Sequence, residues 1–116
     1  MNLIKNTEIK KLYDSLEDSM MDYLSSTTSY TKKDVKKSMK IIDFYLREIE
    51  CATIREEGLF AVEKTVKMLN LLNKDCYHEL IETYQRDCIA QLMNLTAVEK
   101  GFNDKNEDLT EKWRKW

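Results

Sequence analysis

The amino-acid sequence predicts an all-α fold, a mostly antiparallel bundle of about four helices with a short C-terminal helical extension. Its 116 residues include no proline and only two glycines, the residues that most often interrupt helices. Apolar residues recur three and four positions apart along most of the chain, as they do on one face of a helix. The length corresponds to a single helical domain over residues 1–116, long enough to bury a core without disulfides or metal.

The first helix is expected from about Asn6 or Thr7 to about Leu24, where apolar residues form one stripe and acidic residues fall elsewhere on the helical wheel. The next six residues, 25–30, are mostly serine and threonine. Their hydroxyl groups compete for backbone hydrogen bonds, which favours a loop over continuation of the helix.

A second helix is predicted to start after Thr31, which is placed as N-cap, with Asp34 three residues later in the position of a capping-box acid. Its apolar seam has spacings of four, three, four and three, the pattern of shallow-angle packing in a bundle. The same seam can also join two copies of the chain, so a homodimer is expected. The seam consists of Val35, Met39, Ile42, Leu46 and Ile49, widened by Ile41 and Tyr45.

The boundary between the second and third helices is predicted within Cys51–Gly58, as a short turn or kink near Gly58. The third helix has apolar residues on a wide arc, which indicates a central helix that contacts more than one neighbour. Asn70, Asn73 and Asp75 thin out this pattern and end the helix. The apolar residues are Leu59, Ala61, Val62, Val66, Met68, Leu69, Leu71 and Leu72.

Residues 77–81 are predicted to form a short turn of helix, and Thr83 is the expected N-cap of a fourth long helix. Lys100 in the last turn, followed by Gly101, is the signature of a helix C-terminus. Phe102 is placed to pack back as the residue beyond the cap.

The tail beyond the fourth helix opens with polar residues and is expected to close in a helical turn. Leu109, Trp113 and Trp116 are spaced four and three residues apart there and form one apolar stripe. Chain ends normally fray and remain polar, so two tryptophans in the last four residues are an unusual placement. Because exposed tryptophans favour aggregation, the tail is expected to dock on its own bundle, with a partner surface as the alternative.

Composition limits the classes of function. Nineteen basic and twenty-one acidic residues give a formal net charge of −2, so the molecule as a whole does not attract nucleic acid or anionic membranes. Three cysteines without CxxC spacing indicate reduced thiols. Neither a signal peptide nor a membrane-spanning run is evident, so a cytoplasmic protein without membrane association is expected.

No complete catalytic or metal-binding motif is found in the sequence. His78 is the only histidine, and Cys76, Glu79 and Glu82 near it do not complete a zinc ligand set at regular spacing. The glycine-rich phosphate loop and the ExxH motif of di-iron bundles are both missing. A non-enzymatic protein without metal or cofactor is therefore expected, and an enzyme with an unrecognised carboxylate site is the weaker alternative.

A basic cluster lies on one side of the predicted second helix, roughly opposite its apolar seam. Nucleic-acid-binding elements usually add arginines or stacking aromatic side chains, and neither is evident beside this cluster. A solvated face is therefore favoured, and a nucleic-acid-binding bundle is the alternative function. The cluster comprises Lys32, Lys33, Lys36, Lys37 and Lys40.

The most distinctive segment joins the third and fourth helices. It reads LNLLNKDC over residues 69–76 and LIETYQR over residues 80–86, and the chain ends in WRKW. Over roughly the C-terminal half, this pattern resembles a family of small, uncharacterised bacterial proteins (a domain of unknown function) with LN-x-LN-x-x-C and LIET-x-QR motifs and a W-R-x-W ending. Such proteins are similar to small helical partners encoded near bacterial toxin systems, and this implies an immunity- or antitoxin-like role.

The same segment also has a structural interpretation, as a corner between helices that is fixed by hydrogen bonds. Glu82 and Arg86 are placed as an i,i+4 ion pair on the fourth helix. The functional interpretation is a surface that binds a protein partner. On this interpretation the chain is a protein-binding module whose partner is unidentified. The residues of that surface would be Glu82, Gln85, Arg86, Trp113 and Trp116.

Overall fold

The computed structural model, which describes residues 3–116, contains four α-helices: α1 (Thr7–Asp22), α2 (Lys32–Cys51), α3 (Arg55–Asp75) and α4 (Thr83–Glu99). Short 3-10 helices at Leu3–Lys5 and Tyr23–Ser25 flank α1. Residues 3–116 contain no β-strand. The predicted all-α bundle of four helices is confirmed.

Successive helices run in opposite directions and form two antiparallel pairs. α1 pairs with α4, and Gln85 near the start of α4 donates a hydrogen bond to the hydroxyl of Ser19 near the end of α1 at 3.0 Å. α2 pairs with α3, to which it is joined by only three residues. Glu48 and Lys64 form an ion pair between these two helices at 2.7 Å.

Tyr45 lies in the centre of the core and connects α2 to α4. Its side chain is fully buried, and its hydroxyl lies 3.1 Å from the carbonyl oxygen of Met93 and 2.6 Å from the hydroxyl of Thr96. Burial raises the pKa of this phenol, because the charged form would lose its hydration. The apolar seam of α2 is buried around Tyr45 within one chain. The seam is therefore used inside one chain, and the expected homodimer stays a prediction.

Three of the helices, α2, α3 and α4, begin with a capping box. The Thr31 N–H donates to the Asp34 carboxylate at 2.9 Å, which confirms the predicted start of α2. At the start of α4, the Glu82 N–H donates to the side-chain carbonyl of Gln85 at 3.1 Å. Because Gln85 supplies this acceptor, the N-cap is Glu82, and Thr83 is the first helical residue rather than the predicted cap.

The two glycines of the chain both accommodate one aromatic ring. Gly101 has a φ of +76°, a left-handed conformation that glycine adopts without strain. The Phe102 N–H then donates to the carbonyl of Ala97 at 2.8 Å, which completes the predicted C-terminal motif of α4. An added Cβ at Gly58 would lie 2.5 Å from the Phe102 ring. Gly58 lies inside α3, so the break that was predicted near it occurs instead in the connection before this helix.

The tail after α4 is built from turns rather than from a further helix. The predicted C-terminal helical extension is reduced to one turn, in which the Arg114 N–H donates to the carbonyl of Thr110 at 2.9 Å. Leu109 is buried, and Trp113 and Trp116 are half-buried and pack against the core. The tail thus docks on its own bundle, as the apolar stripe predicted.

Two asparagines hold the tail against α3 and α4. Asn70 on α3 donates to the carbonyl of Trp113 at 2.9 Å and accepts from the N–H of Lys115 at 3.0 Å. Asn94 on α4 accepts from the N–H of Leu109 at 2.9 Å. These side chains satisfy backbone groups that a helical extension would have bonded internally, so the tail can leave the helical conformation.

Candidate protein-interaction surface

Of the residues predicted to bind a partner at the corner between α3 and α4, Gln85 is buried and hydrogen-bonded within the fold. Gln85 is buried, its amide nitrogen donates to Ser19, and its carbonyl oxygen accepts from the N–H of Glu82. Glu82 is exposed and Arg86 is half-buried, and no ion pair joins them among the pairs formed by residues 3–116. Gln85 thus has a structural role in the corner. Partner binding by these residues and by the two tail tryptophans stays a prediction.

The corner itself has an unusual backbone, which Asn73 stabilises. Tyr77 and His78 have φ values of 57° and 60°, a conformation that side-chain-bearing residues adopt rarely. The buried side chain of Asn73 accepts from the N–H of Ile81 at 2.9 Å. The Asn73 carbonyl accepts from the N–H of His78 at 2.8 Å. These two bonds fix the path of the chain from α3 into α4.

The cysteines near this corner are poor nucleophiles. Cys76 and Cys88 are buried, and burial raises the pKa of both thiols. The carboxylates of Asp34 and Asp75 add to this effect at Cys76, and its pKa is raised to about 11. Both side chains are therefore neutral thiols near pH 7, whereas the thiolate is the reactive form. Among residues 3–116, no group of three or more histidine, cysteine or acidic side chains is placed to hold a metal ion.

A groove of about 630 Å³ lies between α1 and α4. Its lining mixes both charges with hydroxyl and apolar groups, including Lys11, Ser15, Tyr84 and Asp87. Lys11, Tyr84 and Asp87 are exposed to solvent at this groove.

A different surface, the outward side of the α2–α3 pair, carries large exposed apolar side chains. Phe44 on α2 is 59% exposed, and Phe60 and Leu71 on α3 are 61% and 66% exposed. Met68, which is 43% exposed, lies on the same side of α3 because these positions are spaced by whole helical turns. We call this surface the α2–α3 face and define it by Phe44, Glu48, Phe60, Lys64, Met68 and Leu71.

Charged side chains cross the apolar part of the α2–α3 face. Lys64 lies 5.5 Å from the centre of the Phe60 ring while it pairs with Glu48 on the neighbouring helix. Arg47 lies 5.0 Å from the centre of the Phe44 ring. Such cation–π contacts contribute modestly at exposed sites. Phe44 and Phe60 nevertheless stay 59% and 61% exposed.

Charge is distributed unevenly along the α2–α3 face. The predicted lysine cluster is exposed on the N-terminal half of α2, and Lys74 lies at the adjacent C-terminal end of α3. We call this the basic end. At the opposite end, Glu48 in the last turns of α2 and Glu56 and Glu57 in the first turn of α3 lie beside Arg47, Arg55 and Lys64, so this end carries both charges. The lysine cluster consists of Lys32, Lys33, Lys36, Lys37 and Lys40.

Sequence reasoning missed the α2–α3 face because it assigned Met68 and Leu71 to the wide apolar arc of a central helix. The available signal was two separate stripes on α3. Val62 and Leu69 lie on the buried stripe, whereas Phe60 and Leu71 lie opposite to it. Apolar residues on opposite sides of a helix can indicate either two intrachain neighbours or one neighbour and one open face.

Comparison with models of known protein families, with curated proteins and with solved structures gives no match to this chain. The resemblance of residues 69–86 and of the WRKW ending to a bacterial family therefore stays a prediction. None of the helices within residues 3–116 combines the length and the apolar character needed to cross a bilayer.

Proposed function

We propose that this chain is a non-enzymatic protein-binding module and that the α2–α3 face is its binding surface. The observation that carries the proposal is the cluster of four large apolar side chains, each at least 43% exposed, on one side of a helix pair. Large apolar side chains that are exposed together on one side of a protein mark interaction sites, because an isolated protein does not benefit from leaving them in water. Phenylalanine and methionine are also enriched at the centres of protein interfaces.

Burial of these side chains by a partner supplies a favourable free energy. Complete burial of a Leu, Phe or Met side chain contributes about 1.5–3 kcal/mol relative to full exposure. Phe44, Phe60 and Leu71 still expose more than half of their surface, so most of this contribution is left for association. The charged residues around them resemble the polar rim that surrounds the apolar centre of an interface.

The resemblance to helical partners encoded near bacterial toxin systems supports a more specific form of the proposal. A cytoplasmic, immunity- or antitoxin-like protein functions by covering a second protein rather than by chemistry of its own. An exposed apolar face on a helix pair that is fixed internally by Tyr45 and by the α2 seam is suited to that role.

Affinity capture with a matched control tests this function. Phe60→Gln/Leu71→Gln replaces two of the exposed apolar side chains of the face, while Tyr84→Gln changes an aromatic side chain that is 55% exposed on α4, outside the face. Proteins retained by the wild type and by the Tyr84 variant, but lost by the double variant, support the proposed function. Equal retention by all three folded proteins contradicts it. An untagged copy of this chain belongs among the candidate partners.

The exposed lysine cluster favours nucleic-acid binding as a second candidate. Lys33→Gln/Lys36→Gln/Lys37→Gln should change the free energy of unfolding by only about 0.5 kcal/mol or less, because the three side chains are exposed. Salt-dependent binding of DNA or RNA by the wild type, lost in this variant, would replace protein binding with nucleic-acid binding as the favoured function. We expect no such binding in a mobility-shift titration.

A further inference from the structure

We propose that the partner on the α2–α3 face is an amphipathic helix whose apolar stripe is flanked on both sides by carboxylates. This proposal rests on the proposed function, since it states which class of protein segment the same surface binds. Proteins often recognise a helix by laying its apolar side in a groove between two of their own helices. The apolar side chains of the face and the basic side chains beside them specify the pattern that the bound helix must carry.

The apolar centre of the face follows from the register of α2 and α3. Glu48 and Lys64 lie side by side in an ion pair of 2.7 Å, and the two helices are antiparallel. Phe44 precedes Glu48 by four residues and Met68 follows Lys64 by four, so Phe44 and Met68 lie level with each other. Leu71 lies one turn beyond Met68 on the same side of α3. Phe44, Met68 and Leu71 therefore form one exposed cluster, the apolar centre.

Each of the two helices places basic side chains one turn before and one turn after an apolar side chain of this centre. The spacings are four and three residues on both helices, so the basic side chains of each helix are seven residues apart, about 10 Å along its axis. All four are exposed, and we call them the flanking cations. The two sets are Lys40, Phe44 and Arg47 on α2, and Lys67, Leu71 and Lys74 on α3.

The flanking cations border the groove between α2 and α3 on its two outer sides. Successive helical residues are rotated by about 100°, so Lys40 and Arg47 fall on one side of Phe44 and Glu48 falls on the other. Glu48 is the residue that reaches across to Lys64 on α3. The cations of α2 therefore lie on the side away from α3, and the same rotation places those of α3 on the side away from α2.

The flanking cations are largely available to a partner. Lys40, Arg47 and Lys74 form no ion pair among residues 3–116. Lys67 pairs with Glu63 on its own helix, at an exposed site where such a pair contributes little. The surroundings of the apolar centre are therefore basic. The exposed acidic side chains of α2 and α3 lie at the ends of α3 and are Glu56, Glu57 and Asp75.

These positions specify a heptad pattern for the bound helix. In packed helices with the repeat abcdefg, a and d are the apolar positions, and e and g flank them and form ion pairs between helices. Apolar residues at a and d would cover the apolar centre. Carboxylates at e and g recur every seven residues on each edge of the stripe, which is the spacing of the flanking cations on α2 and on α3.

Other occupants match only part of the face. A second copy that used the same face would bring its flanking cations near those of the first, and a nucleic acid would leave the apolar centre in water. Phe44 and Phe60 lie one turn from Glu48 and from Lys64 respectively, so a bilayer that took up both rings would also take up this ion pair. Its desolvation is costly. An acidic amphipathic helix matches both the charge and the apolar centre.

Two synthetic peptides that differ only in charge test the proposal. Each has about 21 residues, or three heptads, with leucine at a and d, and carries either glutamate or lysine at e and g. Like charges at these positions oppose self-association of either peptide. In fluorescence anisotropy titrations, the wild type should bind the glutamate peptide at least about tenfold more tightly than the lysine peptide. Added salt should weaken this binding.

Charge reversal on the face should shift this preference. Lys40→Glu/Lys74→Glu changes one flanking cation on each helix, and it should weaken binding of the glutamate peptide at least about tenfold and strengthen binding of the lysine peptide. The matched control, Lys5→Glu/Lys11→Glu, makes the same change in net charge at exposed positions outside the face. This control should bind both peptides like the wild type.

The contribution of the apolar centre is tested without a change in charge. Phe44→Gln/Leu71→Gln should weaken binding of the glutamate peptide at least about tenfold, because the leucines of the peptide lose their apolar contacts. All substituted side chains are exposed, so each variant should keep the helical circular dichroism of the wild type.

The outcomes separate this proposal from the function on which it rests. Equal affinity for the two peptides, or equal weakening by the control variant, overturns the proposal, because the face would then not select carboxylates. Absence of binding to both peptides overturns it too, including when the wild type instead associates with itself in sedimentation equilibrium or binds vesicles that contain phosphatidylserine.

The capture experiment then decides the proposed function by itself. Selective loss of a captured protein by Phe60→Gln/Leu71→Gln would still support protein binding by the face, with a partner of other chemistry. If neither peptide binds and the capture experiment shows no selective loss, both proposals fail.

Discussion

At the scale of single residues, the Phe102 ring accounts for both glycines of the chain. Gly101 supplies the left-handed turn that sends the chain back towards α3. Gly58 leaves the space that the ring occupies on this helix. Glycine inside a helix costs about 0.5–1 kcal/mol relative to alanine, so Gly58 lowers the intrinsic stability of α3 in exchange for this contact.

Gly58→Ala should destabilise the protein, although alanine is the better helix former. An added Cβ meets the Phe102 ring at 2.5 Å, and such overpacking typically costs about 1–3 kcal/mol. In a Phe102→Ala background the clash is absent, and the same substitution should stabilise by up to about 1 kcal/mol. Urea denaturation of the four proteins in this double-mutant cycle measures the coupling. Stabilisation of the wild type by Gly58→Ala would contradict the packing account.

These two glycines also show which residue roles a sequence reveals. The role of Gly101 was predictable, because a lysine, a glycine and an apolar residue in succession form a local signature that needs no knowledge of the rest of the fold. The role of Gly58 was not, because its cause is a ring 44 positions later in the chain. The capping box of Thr31 and Asp34 was predictable for the same local reason, whereas the side chain of Gln85 displaced the expected cap of α4.

At the scale of elements, the four helices follow from apolar periodicity, and the tail departs from it. The spacing of Leu109, Trp113 and Trp116 fits a helical turn, and these side chains do reach the core. The backbone of the tail is instead bonded by Asn70 and Asn94 from two other helices. Periodicity therefore identified which side chains are buried but not the backbone conformation, since that depends on long-range hydrogen bonds.

Asn70→Ala should partly release the tail. The substitution removes two hydrogen bonds, to the carbonyl of Trp113 and from the N–H of Lys115, at a net cost of about 1–3 kcal/mol. Both tryptophans of the chain lie in the tail, so tryptophan emission reports on this segment alone. We expect a red shift of the emission and a lower melting temperature. Asn106→Ala, at an exposed position of the tail, is the control. Unchanged emission in the Asn70 variant would rule out this role.

At the scale of the whole molecule, two helix pairs are joined through the core around Tyr45. This side chain extends from α2 to the carbonyl of Met93 and the hydroxyl of Thr96 on α4. Sequence analysis placed Tyr45 beside the apolar seam and could not assign a partner to its hydroxyl. It also could not decide whether the seam faced inward or towards a second copy, because both arrangements require the same apolar spacing.

Substitution of Tyr45 should separate the contribution of the ring from that of the hydroxyl. Tyr45→Phe should cost only about 0.5–1.5 kcal/mol, because the hydroxyl of Thr96 keeps its bond to the carbonyl of Leu92 at 2.9 Å. Tyr45→Ala should cost about 3–5 kcal/mol, because it opens a cavity between the two helix pairs. Equilibrium unfolding in urea compares the two variants. Equal losses would show that the hydroxyl, rather than packing, connects the pairs.

The nested pairing of the helices also sets an order of events during folding. The α2–α3 pair closes a loop of three residues, whereas the α1–α4 pair closes one of about 60, which costs about 2.7 kcal/mol more in chain entropy. Formation of the inner pair first shortens the distance that the outer pair must span. Without proline, the chain has no slow peptide-bond isomerisation to interrupt this sequence. We expect high φ-values for core substitutions on α2 and α3 and low φ-values for those on α1. We also expect the polar corner at Asn73 and the tail to become ordered only after the transition state.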